Sequence, residues 1–245
     1  MKNSLFCAAL MAGLIPAIAA AEPGVTNVVY GPSVEAGETE IELRYGRLNG
    51  GGADGRWATV GEYGHAVTDW WRPAALFEVS RDPGGEAELE AVAFENVFDF
   101  TATRNWPVHF GAYAEYEANL LHGADKVELK LLSELNSGPA RLRVNLIGER
   151  EVGGGAGDEW EYGYAIQGLV RVGDELAVGL EAFGDAGTSD DFGSLNDRAR
   201  YIGPFVEFEA FEIAGHDVEV QAGYLFANGD AAADGQARLK FELEF

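Results

Sequence analysis

Charged side chains recur at every second position over much of this chain, and that spacing is its first hint of chemistry. The runs include Glu40, Glu42 and Arg44; Glu115 and Glu117; Glu134; Arg141 and Arg143; Glu149; Arg171; Glu207 and Glu209; and Lys240, Glu242 and Glu244. A period of two places such residues on one face of a β-strand, so each run is a charged stripe. Stripes on neighbouring strands pair across the ladder, and around a water-filled space they set its potential. Acids outnumber bases on these faces, as they do in the whole chain, with 41 Asp and Glu against 17 Lys and Arg and a formal net charge of -24 at pH 7. A space enclosed by such walls favours cations. The same balance excludes nucleic acid as a partner, because phosphate binding needs a basic surface.

Other chemistry is thinly supported. His65, His109, His122 and His216 are isolated, with no HExxH and no GxSxG, and Ser80, Ser133, Ser189 and Ser194 have no histidine at a strand-neighbour position. The chain therefore reads as a non-enzyme without a cofactor. The loop Asp185-Ala186-Gly187-Thr188-Ser189-Asp190-Asp191 with Asn196-Asp197 carries oxygen ligands but not the spacing of an EF-hand, and it reads as a solvated acidic loop rather than a metal site. Gly153-Gly154-Gly155 is a loop tip, since no Lys-Ser/Thr and no helix follow it.

The stripes need strands to carry them. Alternation and turn signals predict twelve: 39–48, 56–66, 70–80, 86–99, 107–118, 125–136, 140–151, 159–172, 175–186, 198–211, 216–226 and 235–245. Their length suits tilted membrane-spanning strands, which need about 9 to 11 residues. Short turns at Val67-Thr68-Asp69, Ser137-Gly138 and Gly173-Asp174 interleave with longer loops at 49–55, 152–158, 187–197 and 227–234, with moderate connections at 100–106 and 212–215. The tight hairpin at Ser137-Gly138 sets Glu134 opposite Arg141 and Lys126 opposite Glu149, and Arg171 faces Glu175 across Gly173-Asp174. In 86–99 the phase of Leu89, Ala91, Ala93 and Glu95 opposes that of Phe94, Phe98 and Phe100, and a single β-bulge near Ala93 restores the phenylalanines to the outer face.

Alternation is shared by β-sandwiches and barrels, and the tryptophans separate them. Trp57, Trp71, Trp106 and Trp160 stand at strand ends, as interfacial girdles require, and Trp70, Tyr63, Tyr162 and Tyr224 extend the pattern. The fold expected is all-β: a single closed antiparallel transmembrane β-barrel of about twelve strands in an up-and-down meander over 39–245. Before it, Lys2 and the apolar run from Leu5 to Ala21 have the form of a cleaved signal peptide over 1–21, which removes Cys7 and makes the mature chain more negative by the loss of Lys2. Residues 22–38, with Pro23, Gly24, Gly31, Pro32 and Gly37, form a non-strand arm that hangs outside the barrel or folds into the lumen; sequence does not choose between them.

The last strand alternates Ala237, Leu239, Phe241, Leu243 and Phe245 against Arg238, Lys240, Glu242 and Glu244, and ends on its aromatic residue. In this it resembles the closing strand of Gram-negative outer-membrane β-barrels. The resemblance implies export to the cell outer membrane, contact with outer-membrane lipid, recognition of the C-terminal strand by the barrel-assembly machinery, and Phe245 at the interface. The layout is also similar to small outer-membrane channel proteins of the phenol-degradation-pathway type, through Gly37-Glu38-Thr39-Glu40-Ile41-Glu42, Gly179-Leu180-Glu181 and Gly203-Pro204. No functional residue is carried over from them.

Twelve strands about 4.8 Å apart and tilted about 40° close at roughly 12 Å backbone radius, and long side chains fill much of that. The expectation is a narrow porin-like or solute-transport channel with an acidic, cation-favouring lumen for a small solute of unknown identity. The alternative is a plugged barrel with a structural or surface-interaction role. A third reading, a lipid-modifying enzyme on the barrel wall, needs a Ser/His/acid cluster near an interface.

Overall fold

The computed structural model describes residues 24–104, 106–173, 175–192 and 198–245. The proposed signal peptide and residues 22 and 23 lie outside the described residues, as does Asn196-Asp197 of the acidic loop. Twelve strands form: β1 (Thr39–Asn49), β2 (Trp57–His65), β3 (Trp71–Arg81), β4 (Glu88–Asp99), β5 (Val108–Asn119), β6 (Asp125–Ser137), β7 (Ala140–Val152), β8 (Glu161–Arg171), β9 (Leu176–Thr188), β10 (Arg200–Ile213), β11 (His216–Asn228) and β12 (Gly235–Glu244). Each pairs antiparallel with its sequence neighbours, and β1 pairs with β12, so the sheet is a closed barrel. At the seam Glu40 stands opposite Glu244, and Thr39 and Phe245 exchange backbone hydrogen bonds of 2.7 and 2.9 Å. Closure leaves no free edge, which is the condition for a sheet to cross a membrane.

Side chains sort by phase. On β1, Glu40, Glu42 and Arg44 point inward and are buried while Ile41, Leu43 and Tyr45 are exposed on the outer face. Leu129 and Leu131, Leu142 and Leu146, and Leu180, Ile202 and Phe226 continue the apolar exterior. A continuous apolar outside around a polar inside inverts a soluble protein, and lipid is the solvent it fits. One end of the barrel carries the start of β1, the end of β12 and mostly short turns, with the longer 100–107 connection among them; the other carries the remaining connections, which include the longest loops. These are the turn end and the loop end below. Ala214 and Gly215, at φ 55 and 89, make a two-residue hairpin turn between Ile213 and His216 of the kind that matches strand twist.

Three expected registers are corrected. The β6–β7 turn is centred on Gly138-Pro139, not Ser137-Gly138, because Gly138 takes a left-handed φ of 58 and Ser137 pairs with Ala140. Moving the turn by one residue moves every partner by two and keeps each side chain on its face. Glu134 therefore stands opposite Arg143 rather than Arg141, and Lys126 opposite Glu151 rather than Glu149. Arg171 stands opposite Ala177, not Glu175, which precedes β9.

β4 does carry a bulge, but at Glu90 rather than Ala93: Glu78 pairs with Ala91 and Val79 with Leu89, leaving Glu90 unpaired. The rim of the barrel is where an extra residue breaks the fewest ladder bonds. Beyond it Glu95 is fully buried inside and Phe94 is 53% exposed outside. Two further register shifts, at Tyr162/Gly163 and Glu209/Phe211, also lie near strand ends.

Phe94, near the middle of β4, tests this phase. Phe94→Arg should lower the unfolding free energy by about 2–4 kcal/mol, the cost of a cation at bilayer mid-depth on the lipid face, measured by urea unfolding of the protein in liposomes.

Candidate functional site

The lumen is crossed by the chain's own N-terminal arm. From Gly37, whose N–H donates to Ala66 O at 2.8 Å at the turn end, the arm runs back up the barrel to Gly24 at a chamber near the loop end. The inner wall is shaped to receive it. A Cβ on Gly46 would collide with the Val25 carbonyl, so glycine there lets the arm's backbone approach the wall; one on Gly111 would collide with the Phe98 carbonyl of the adjacent strand and also meet Pro32 Cβ at 2.7 Å. Gln236 Nε2 donates to the Val25 carbonyl. Val29 inserts among Ala165, Phe183, Tyr201 and Leu225, an apolar cluster inside the barrel.

Tyr30 is the most heavily tied residue of the arm. Its N–H donates to Asn145 Oδ1 at 2.8 Å, and Asn145 Nδ2 donates to its carbonyl at 2.9 Å, so one amide side chain satisfies both backbone groups as a neighbouring strand would. The phenol donates to Glu95 Oε2 at 3.0 Å. Its ring lies 4.6 Å from that of Tyr113, with Lys130 Nζ at 4.5 Å and the Arg44 guanidinium at 5.6 Å from the centroid. In a desolvated site each cation–π contact contributes on the order of 0.5–2 kcal/mol.

Around the arm the charged stripes close into ion pairs. Arg44 meets Glu42 and Glu62; Arg72 meets Glu40, with Glu62 Oε1 at 4.0 Å and Glu95 Oε1 at 3.9 Å; Lys240 meets Glu242 and lies 3.3 Å from Glu42. Glu40, Glu42 and Glu242 bring carboxylate oxygens within 4.8 Å of one another, but these oxygens already face Arg72, Arg44 and Lys240, so the chain supplies its own cations there. Further pairs are Arg143–Glu134 at 2.6 Å, Lys130–Glu128 at 2.8 Å, Lys126–Glu149 at 3.2 Å, Arg141–Glu207 at 3.4 Å and Arg238–Glu181 at 3.7 Å. Lys126 thus reaches the glutamate expected, along a diagonal rather than across the rung. Desolvation offsets much of the attraction in such pairs, so their weight is in fixing side-chain positions.

Among the spaces left around the arm by the described residues, one chamber lies on each side of it. The larger, of about 440 Å³, lies toward the loop end, with Gly24 to Asn27 of the arm on its wall. Its carboxylates are Glu78, Glu90, Glu115, Glu117, Glu128, Glu149, Glu151 and Glu161, against Arg56, Lys126 and Arg150. Arg56 and Arg150 pair with Asp82 and Asp158 outside the chamber's lining at 3.4 and 3.6 Å, and Lys126 pairs with the chamber's own Glu149 at 3.2 Å. The smaller, of about 180 Å³, lies toward the turn end beneath Val28 and Val29 and holds Arg141, Arg143, Arg171, Glu207, Lys240, Glu242 and Glu244. Glu209 is exposed at the turn end, just before the β10 bulge.

The aromatic residues form two outer bands. Trp71 stacks with Trp70, which stacks on Phe98, and Trp71 Nε1 donates to Asn96 Oδ1 at 3.0 Å; Trp106 lies under Arg104, and Phe245 beside His216, all at the turn end. Trp57 packs with Tyr45, and Trp160 beside Gly148, at the loop end. Sequence reasoning missed the arm's partners. Tyr30, Asn145, Tyr113 and Gln236 are uncharged or apolar, and the one available signal was Asn145, an amide between Arg143 and Ile147 on the inner phase of β7.

Fold and lumen together define a twelve-stranded outer-membrane-type barrel with an internal arm. No family model matches the sequence, and no curated protein matches it. Solved structures share the fold. The NanC porin is 7% identical with a TM-score of 0.58, over 84% of this chain and 98% of that one; the KdgM porin is 9% identical with a TM-score of 0.56, over the same shares. The COG4313 outer membrane channel from Pseudomonas putida F1 is 14% identical with a TM-score of 0.55, over 91% of this chain and 99% of that one. At these identities the likeness is one of fold.

The Asn145 clamp has a direct test. Asn145→Ala leaves the Tyr30 N–H and carbonyl without partners, a loss of about 1–3 kcal/mol in arm docking, and hydrogen exchange at the Tyr30 amide should accelerate by at least about tenfold while strand amides keep their protection.

Proposed function

We propose that this protein is an outer-membrane channel for small polar solutes, narrowed by its own arm and favouring cations. The observation that carries this reading is the loop-end chamber, where eight carboxylates face three cations that are each tied to an acid. Surplus negative charge in a low-dielectric enclosure raises the local cation concentration. In this reading the signal peptide directs export, the apolar outer face meets lipid, the two aromatic bands lie at the headgroup layers, and the C-terminal strand engages the assembly machinery. The short turns then face the periplasm and the acidic chamber faces outside.

A second reading has its own observation. The arm is pinned across the lumen by Asn145, Glu95 and Gln236, as a plug would be, and a plugged barrel would act through its surface loops instead.

Single-channel recording of the folded mature chain in a planar bilayer under a salt gradient separates them. A small, steady conductance is expected, with cations several-fold more permeant than anions, and joint neutralisation of Glu115, Glu117 and Glu149 to Gln should bring that ratio close to unity. A silent barrel that conducts only after Asn145→Ala would establish the plug.

A further inference from the structure

The outward phase of the strands is charged at the loop end and not at the turn end. Among the described strands it holds no Arg, Lys, Asp or Glu at the turn end, whereas at the loop end Arg47 on β1, Arg81 on β3 and Arg200 on β10 stand on it. Arg150 and Asp125 share that phase, the first paired with Asp158 and the second accepting from the Tyr116 phenol. In a chain with a net charge of -24, a basic outer rim runs against the composition.

Two of these arginines flank one aromatic residue. Arg47 stands opposite Trp57, and Trp57 opposite Arg81, so three outward side chains share a rung across β1, β2 and β3. Two strand spacings of about 4.8 Å separate the arginine Cα atoms, so two long side chains can converge on one group. Both arginines are exposed, and neither pairs with an acid among the described residues. Asp82, next in the chain to Arg81, is turned to Arg56. Arg81 Nε donates to Gly85 O at 2.9 Å, which orients the guanidinium and leaves its terminal nitrogens open. The Trp57 indole lies against Tyr45, nearer the middle of the barrel, and on the other side of Arg47 the small Ala237 leaves room.

Unpaired guanidiniums beside an interfacial tryptophan call for an anion that arrives with the lipid. The guanidinium fork matches phosphate oxygens. Leu43, Tyr45 and Phe77, exposed on the same strands toward the middle of the barrel, offer apolar surface to acyl chains, which a soluble anion would not use. A phosphomonoester carries about 1.5 to 2 negative charges at pH 7 and so can meet both arginines, where a phosphodiester brings a single charge. We propose that Arg47, Trp57 and Arg81 form a binding site for a phosphomonoester lipid of the lipid A class, its phosphate between the two guanidiniums and its chains along Leu43, Tyr45 and Phe77. The proposal rests on the outer-membrane reading only for which leaflet supplies the lipid.

Native mass spectrometry of the folded mature chain in detergent micelles, titrated with diphosphoryl lipid A, phosphatidylglycerol or inorganic phosphate, tests the site independently of orientation and conduction. Saturable binding of one lipid A is expected, at least about tenfold tighter than phosphatidylglycerol and not displaced by equimolar phosphate. Arg47→Gln and Arg81→Gln should each weaken it by about threefold or more, and the double variant by about tenfold or more. Arg104→Gln, at the turn end beside Trp106, should leave it unchanged. Heat-modifiable gel migration identifies folded variants, and either single variant carries the test if the double one does not fold. Absence of saturable lipid A binding, phosphatidylglycerol binding as tightly, displacement by phosphate alone, or folded Arg47 and Arg81 variants that bind as the parent does would each overturn the site. With conductance recorded on the same preparation, a barrel that conducts but binds no lipid A refutes the site alone; one that binds lipid A but stays silent upholds the site and refutes the channel.

Discussion

Closure of the sheet on itself is the constraint from which the rest of this structure follows. Lipid offers no partner for a backbone N–H or carbonyl, so β1 must find β12, and every strand must send its apolar phase outward. The polar phase then has one place to go. Twelve strands confine it to a cylinder of roughly 12 Å backbone radius, into which Glu, Arg and Lys project from nearly all sides. Crowding turns isolated charges into partners: Arg44 takes up Glu42 and Glu62, and Arg72 is drawn toward Glu40, Glu62 and Glu95. The network is thus less a designed motif than the form a charged inner face takes when it is curved tightly.

The arm divides what space remains. Its lower half lies against the paired belt, where acids and bases balance, and its upper end opens into the chamber where acids dominate. The lumen is therefore graded from a strongly negative loop end to a mixed turn end, two electrostatic environments rather than one uniform field. Tyr30 stands where they meet, its ring between cations and its phenol on Glu95.

Much of the barrel was legible because period two is a one-dimensional signal. Strand ranges, the even strand number, the inward phase of Glu40, Glu42 and Arg44, and the outward tryptophans all follow from reading alternate residues. Register was harder. It depended on whether Gly138 ended or began the β6–β7 turn, and its positive φ decided for the latter. The bulge was visible as a phase conflict between Ala91 and Phe94, but its position at Glu90 depends on where β3 and β4 lose the fewest hydrogen bonds, a property of the pair and not of either strand. The arm's site was least legible. Asn145 and Gln236 are ordinary lumenal amides until a second segment passes beside them, and nothing in a single strand's pattern announces a contact separated by 115 residues.

The way Asn145 holds Tyr30 has a consequence for how this chain can change. Both of its hydrogen bonds go to the peptide groups on either side of one Cα, and Gln236 likewise holds a carbonyl of Val25. Recognition of main chain is indifferent to the side chain attached, so the segment can exchange residues where the side chain makes no contact of its own, which leaves out Val29 in its apolar cluster and Tyr30 with its ring and phenol engaged. At Gly31 an added carbon would have to displace the Arg143 guanidinium, which is paired with Glu134. A barrel that grips its lining by the backbone can retune the size and polarity of its bore through a few substitutions in one short segment, leaving the wall that assembles in the membrane untouched.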